Sequence, residues 1–74
     1  MMNARENKPA SYQIIVKEHL NAQWQAWFEN LTITPMADGN TMLHGFLVDQ
    51  AALYSVLKRI NNLGLTLISV NPQV

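Results

Sequence analysis

Residues 48–70, VDQAALYSVLKRINNLGLTLISV, leave few choices of conformation. Asp49 is a strong N-cap, because its carboxylate can accept a hydrogen bond from a first-turn amide and sits at the positive end of the helix dipole. Leu53, Val56, Leu57 and Ile60 then recur at the spacing of one helical face. Lys58 and Arg59 fall in the last turns, where positive charge is favoured. Asn61 and Asn62 are poor helix-interior residues, and Gly64 can take the left-handed conformation that closes a helix. Leu65-Thr66-Leu67-Ile68-Ser69-Val70 is short, apolar and partly β-branched, which predicts a strand. Pro72 is expected to end its ladder.

The preceding chain follows the same plan. Residues 1–10, MMNARENKPA, are polar and read as a flexible tail, which leaves residues 11–74 as the folded domain. In residues 11–20, Tyr12, Ile14 and Val16 alternate with Gln13, Ile15 and Lys17, the signature of a strand with one apolar and one mixed face. Asn21 can cap a following helix on which Trp24, Trp27, Phe28 and Leu31 share a face. Leu31-Thr32-Ile33-Thr34 is a short β-prone run, and Pro35 suits an edge. Asp38-Gly39 is a hairpin signal. In residues 41–48, Leu43 and Leu47 share one parity while Met42, His44, Phe46 and Val48 share the other. Gly45 marks a bulge or a close backbone approach.

Strand, helix, strand, strand, helix, strand is the split βαβ order. It predicts a single α+β domain of the ferredoxin-like βαββαβ type, with a four-stranded antiparallel sheet and two helices on one face. The first and third strands are expected at the centre, parallel to each other, with the fourth flanking the first and the second flanking the third. The reverse face then presents Ile15, Met42, His44 and Phe46. Such a surface invites a homodimer or another protein partner, through the open face or along an edge strand.

Composition narrows function by exclusion. The chain has 74 residues, 49% of them apolar, with five basic and five acidic side chains and no cysteine. A net charge of zero gives no basic field for nucleic acid; Tyr12, Phe46, Lys17 and His44 only faintly echo a sheet that stacks bases. Without cysteine there is neither a disulfide framework nor thiolate chemistry, which fits a cytoplasmic setting. No apolar run is long enough to span a bilayer, so no membrane is expected as partner. His19 and His44, the only histidines, fall short of the three or four ligands of a metal site. Glu18, Glu29, Asp38 and Asp49 show no acid–base spacing. Gly39, Gly45 and Gly64 form no phosphate loop. No catalytic residue, metal or cofactor is assigned, and a non-enzymatic interaction module is expected. The alternative is a regulatory domain that binds a small molecule at a subunit interface or at the helix start formed by Asp49 and Gln50.

Trp27-Phe28-x-x-Leu31-Thr32-Ile33, the Asp38-Gly39 turn and Val48-Asp49-Gln50-Ala51-Ala52-Leu53, followed by Leu57, Arg59-Ile60, Leu63-Gly64-Leu65 and Ser69-Val70, carry a further signal. Over residues 12–70 this pattern resembles a family of small uncharacterised bacterial proteins. The resemblance implies the same domain limits and a cytoplasmic setting, and it implies no catalytic residue.

Overall fold

A computed structural model describes residues 10–73 of the chain. The tail read over residues 1–10 lies outside them, apart from Ala10, which opens the first strand. The elements are β1 (Ala10–Val16), a 3₁₀ helix (Ala22–Trp27), β2 (Thr32–Pro35), β3 (Thr41–Leu47), α1 (Gln50–Asn62) and β4 (Leu67–Gln73). They form an α+β domain around one four-stranded sheet of order β2-β3-β1-β4. Every neighbouring pair is antiparallel, including β1 with β3. This corrects the parallel relation expected for the two central strands. The two parallel relations are between strands two positions apart, with one strand between them: β1 with β2, and β3 with β4. Each such pair is joined by a crossover that must reverse the chain over an intervening strand.

Alternation along β1 decides which side is the core. Tyr12, Ile14 and Val16 are buried, and Gln13 and Ile15 are not. The registers carry this parity across the sheet, so that Ile33, Leu43, Ile14 and Val70 lie in one row. Leu53 and Ile60 of α1 close over this side, joined by Leu20, Phe28 and Leu31 from the first crossover. The parity passes regularly through Gly45, which pairs with Tyr12. The bulge lies instead in β4, where Ile15 faces Ser69, Val16 faces Leu67 and Ile68 is the extra residue. Pro72 pairs in register with Tyr12 and β4 runs on to Gln73. The ladder therefore passes the proline expected to end it, because an edge strand tolerates a missing N–H.

Only the second crossover is an α-helix. The Asp49 carboxylate accepts from the Ala52 amide at 2.8 Å. At the other end Gly64 has φ +77°. The Leu65 amide donates to the Ile60 carbonyl, and the Gly64 amide to that of Asn61, both at 3.1 Å. This is a Schellman closure, with Ile60 and Leu65 as its apolar pair. The hairpin loop is equally local: Gly39 has φ +91°, and Asp38 Oδ1 accepts from the Asn40 amide at 3.0 Å.

The first crossover departs from the two-helix plan. Where an aromatic-faced α-helix was expected, the chain makes a six-residue 3₁₀ helix. Its amides bond three residues back: Trp24 to Asn21, Phe28 to Gln25 and, just beyond, Leu31 to Phe28. The Gln25 side chain fastens the turn that follows: its Nε2 donates to the Phe28 carbonyl at 2.9 Å and the Leu31 carbonyl at 2.7 Å. Phe28 and Leu31 reach the core while Trp27 stays 50% exposed.

Two contacts hold this segment down. Thr41, fully buried, accepts from the Leu20 amide at 3.0 Å and donates to the Glu18 carbonyl at 2.8 Å. Gly45 lets the loop lie on the sheet, since a Cβ there would sit 2.8 Å from the Asn30 carbonyl oxygen. Thr41→Val should leave both backbone groups unpaired and lower stability by about 2 kcal/mol, read as a lower urea midpoint at constant slope. Gly45→Ala should cost about 1–3 kcal/mol by overpacking, with a lower melting temperature as the readout.

Candidate functional site

The side of the sheet away from α1 is built by the residues that β1 leaves out of the core. Two rows cross all four strands: Thr34, Met42, Ile15 and Ser69, then Thr32, His44, Gln13 and Asn71. A third pairs Phe46 with Ser11. The four residues read from the sequence as an interface, Ile15, Met42, His44 and Phe46, thus share one surface. Ile15 and Met42 are direct cross-strand partners at its centre and half-buried by their neighbours. Phe46 stands 57% exposed toward one end. Polar neighbours dilute this apolar group, so the face is less oily than parity alone suggests.

Its second property was not read from the sequence. The strands ASYQIIV, TITP, TMLHGFL and LISVNPQ contain no Asp, Glu, Lys or Arg. All charged side chains among the described residues lie in loops or on α1. His44 is the only titratable group on the open rows, and its Nε2 is hydrogen-bonded to Thr34 Oγ1 at 2.9 Å. The signal was available in the sequence, but it becomes visible only once the strand limits are known.

The helix start is differently occupied. The Asp49 carboxylate holds the Ala52 amide, which fills part of an anion position with the chain's own negative charge. Gln50 donates from Nε2 to the Tyr12 hydroxyl at 3.2 Å. That bond gives Gln50 a place in the fold, tying the helix N-terminus to β1, and it supplies a partner for a phenol in the core wall. Among the described residues no group of three or more His, Cys, Asp or Glu could hold a metal ion, and no helix is long and apolar enough to cross a membrane.

The sequence profile of a domain of unknown function, DUF8691, matches residues 11–71. The chain belongs to this family. No curated protein and no solved structure matches it. The DUF8691 match runs from the second residue of β1 to Asn71 near the end of β4, so the family unit is the whole sheet with both crossovers.

One charged group of this DUF8691 domain has a shifted pKa with a clear cause. Glu18 accepts from the Thr66 amide at 2.7 Å and the Thr66 hydroxyl at 2.8 Å. The backbone bond, then the side-chain bond, stabilises the ionised form and lowers the Glu18 pKa. Together with the Lys17 amide on the Thr66 carbonyl at 2.9 Å, it fastens the entry of β4 to the exit of β1. A lowered folded-state pKa means that this contribution is complete above the ordinary glutamate value, about 4.3, and is lost as pH falls through the folded value. Glu18→Gln should therefore remove part of the acid-side fall in stability, measured as melting temperature against pH from neutral down to about 3.

Proposed function

We propose that this protein is a non-enzymatic interaction module that forms a homodimer by stacking the open faces of two sheets. The observation that carries the reading is the absence of formal charge from all four strands. A sheet face that meets only water commonly carries charged side chains, whereas the core of a protein interface is marked by their depletion more than by bulk apolarity. A two-fold axis presses the face onto its own copy, so charges on it would be buried in the interface, which is costly, whereas Thr34, Gln13, Asn71 and Ser69 are tolerable there. Ile15, Met42 and Phe46 supply the apolar centre.

The face is a better candidate than either edge. β4 is bulged at Ile68 and carries Pro72, and β2 has four residues ending in Pro35. Bulges, prolines and short edge strands are devices that discourage strand addition. Size sets the strength. Four strands at ~4.8 Å and about six residues at ~3.4 Å give a plane of roughly 400 Å², about half the ~800 Å² per partner of a standard interface. An interface of this size belongs with weak, exchanging ones.

We infer further that the fold is a ferredoxin-like variant in which the first crossover is reduced to a 3₁₀ helix. Strand order and the two crossovers support this. The lack of cysteine suits work in a bacterial cytoplasm.

Light scattering coupled to size-exclusion chromatography at high micromolar concentration should give about twice the 8.4 kDa chain mass, falling to the single-chain mass on dilution. Phe46→Asp and Ile15→Asp should each give the single-chain mass at every concentration without loss of circular dichroism. A wild-type chain that stays single at high concentration would end this reading.

A further inference from the structure

His44 is set among neutral neighbours on the open face. It sits on the central strand β3, paired with Gln13 of β1 on one side and with Thr32 of β2 on the other, and it is half-buried. Met42 and Phe46 precede and follow it on the same face of β3. Asn71 of β4 lies beyond Gln13 in the same row. The imidazole Nε2 and Thr34 Oγ1 are hydrogen-bonded at 2.9 Å. A threonine hydroxyl can donate to a bare ring nitrogen, or turn and accept from an N–H. The bond to Thr34 therefore survives protonation of the ring, and the half-buried imidazole of a single chain keeps water beside it. The fold accommodates either charge state.

A face pressed onto its own copy does not. An imidazolium there leaves water, and a buried charge is costly unless an opposite charge meets it. The four carboxylate side chains among the described residues, Glu18, Glu29, Asp38 and Asp49, all lie off the strands. Three of them already accept from backbone amides, those of Thr66, Asn40 and Ala52. Lys17, just past the end of β1, has the same sign as an imidazolium. α1, with Lys58 and Arg59, covers the opposite side of the sheet. Two-fold symmetry repeats the same face on the partner, which brings a second His44 and no carboxylate on its strands.

We propose that His44 makes the self-association of this protein pH-dependent: neutral rings permit the two sheets to stack, and protonation of the rings separates them into intact single chains. This rests on the stacked dimer of the preceding subsection and adds its regulation. Histidine side chains change charge between about pH 5 and 8. The single chain binds protons that the stacked dimer rejects, so linkage makes acid favour the single chain. Glu18 does not interfere in this window. Its bonds to Thr66 lower its pKa, which puts their loss below the ordinary glutamate range.

The test is analytical ultracentrifugation of the full chain at about pH 8 and about pH 5.5, at constant ionic strength. The dimer Kd should rise about tenfold or more at the lower pH, reversibly and with unchanged circular dichroism. His44→Gln, whatever its own affinity, should show the same Kd at both pH values; His44→Asn gives the same comparison if glutamine disturbs the sheet. His19→Gln removes the other histidine, which is exposed and lies off the strands, and should keep the wild-type response. A wild-type dimer equally tight at both pH values would overturn the switch and leave the stacked dimer standing. A wild-type chain that stays single at both would overturn the dimer and the switch together. Acid dissociation that persists without His44, or disappears without His19, would assign the effect to another group and overturn the proposal.

Discussion

Burial of alternate residues on β1 is the constraint to which every other element answers. Tyr12, Ile14 and Val16 can face only one side of the sheet, and β1 is paired on both edges. Because strand side chains repeat with period two, a one-residue slip on either flank would turn a neighbour's apolar set toward water. Leu43 and Val70 are locked opposite Ile14 on its two sides, and Ile33 follows through Leu43. α1 must then close over that side to bury Leu53 and Ile60. What remains on the other side is the set of residues that the core rejected.

The loop joining β1 to the 3₁₀ helix depends on the same frame in a less obvious way. Leu20, Phe28 and Leu31 anchor this crossover in the core, and polar contacts fix its ends. Thr41 takes a core position on β3 and uses its hydroxyl twice on the backbone of the loop. Glu18 does the converse, reaching from the end of β1 to Thr66 before β4. Gly45 contributes by having no side chain, which lets Asn30 and Leu31 approach β3 closely. These contacts join residues far apart in sequence.

The two candidate sites differ in how far they could be read in advance. Ile15, Met42, His44 and Phe46 follow from parity alone, since a strand has only two faces. The charge-free character of that face needed the strand limits. Gln50 needed its partner, because a hydrogen bond to Tyr12 spans 38 positions and leaves no local pattern. Arg59 had the look of a solvated helix end; its carbonyl partner Trp27 lies 32 positions earlier. Trp24, Trp27 and Phe28 misled for a physical reason. A spacing of three, Trp24 to Trp27 and Phe28 to Leu31, fits a 3₁₀ helix as well as an α-helix, and the amide bonds made three residues back distinguish them only in the fold.

What the sequence determined by itself was local: the Asp49 cap, the amphipathic run of α1, the Gly64 closure, the Asp38-Gly39 turn and the alternation on β1 and β3. Each depends on residues within a turn or two of each other, where dihedral preference and period act directly. The tertiary structure alone decided the antiparallel relation of the central strands, the 3₁₀ form of the first crossover, the passage of β4 through Pro72 and the meeting of Trp27 with Arg59. These rest on bonds and contacts between distant residues, whose energies exist only after the sheet has brought their partners together.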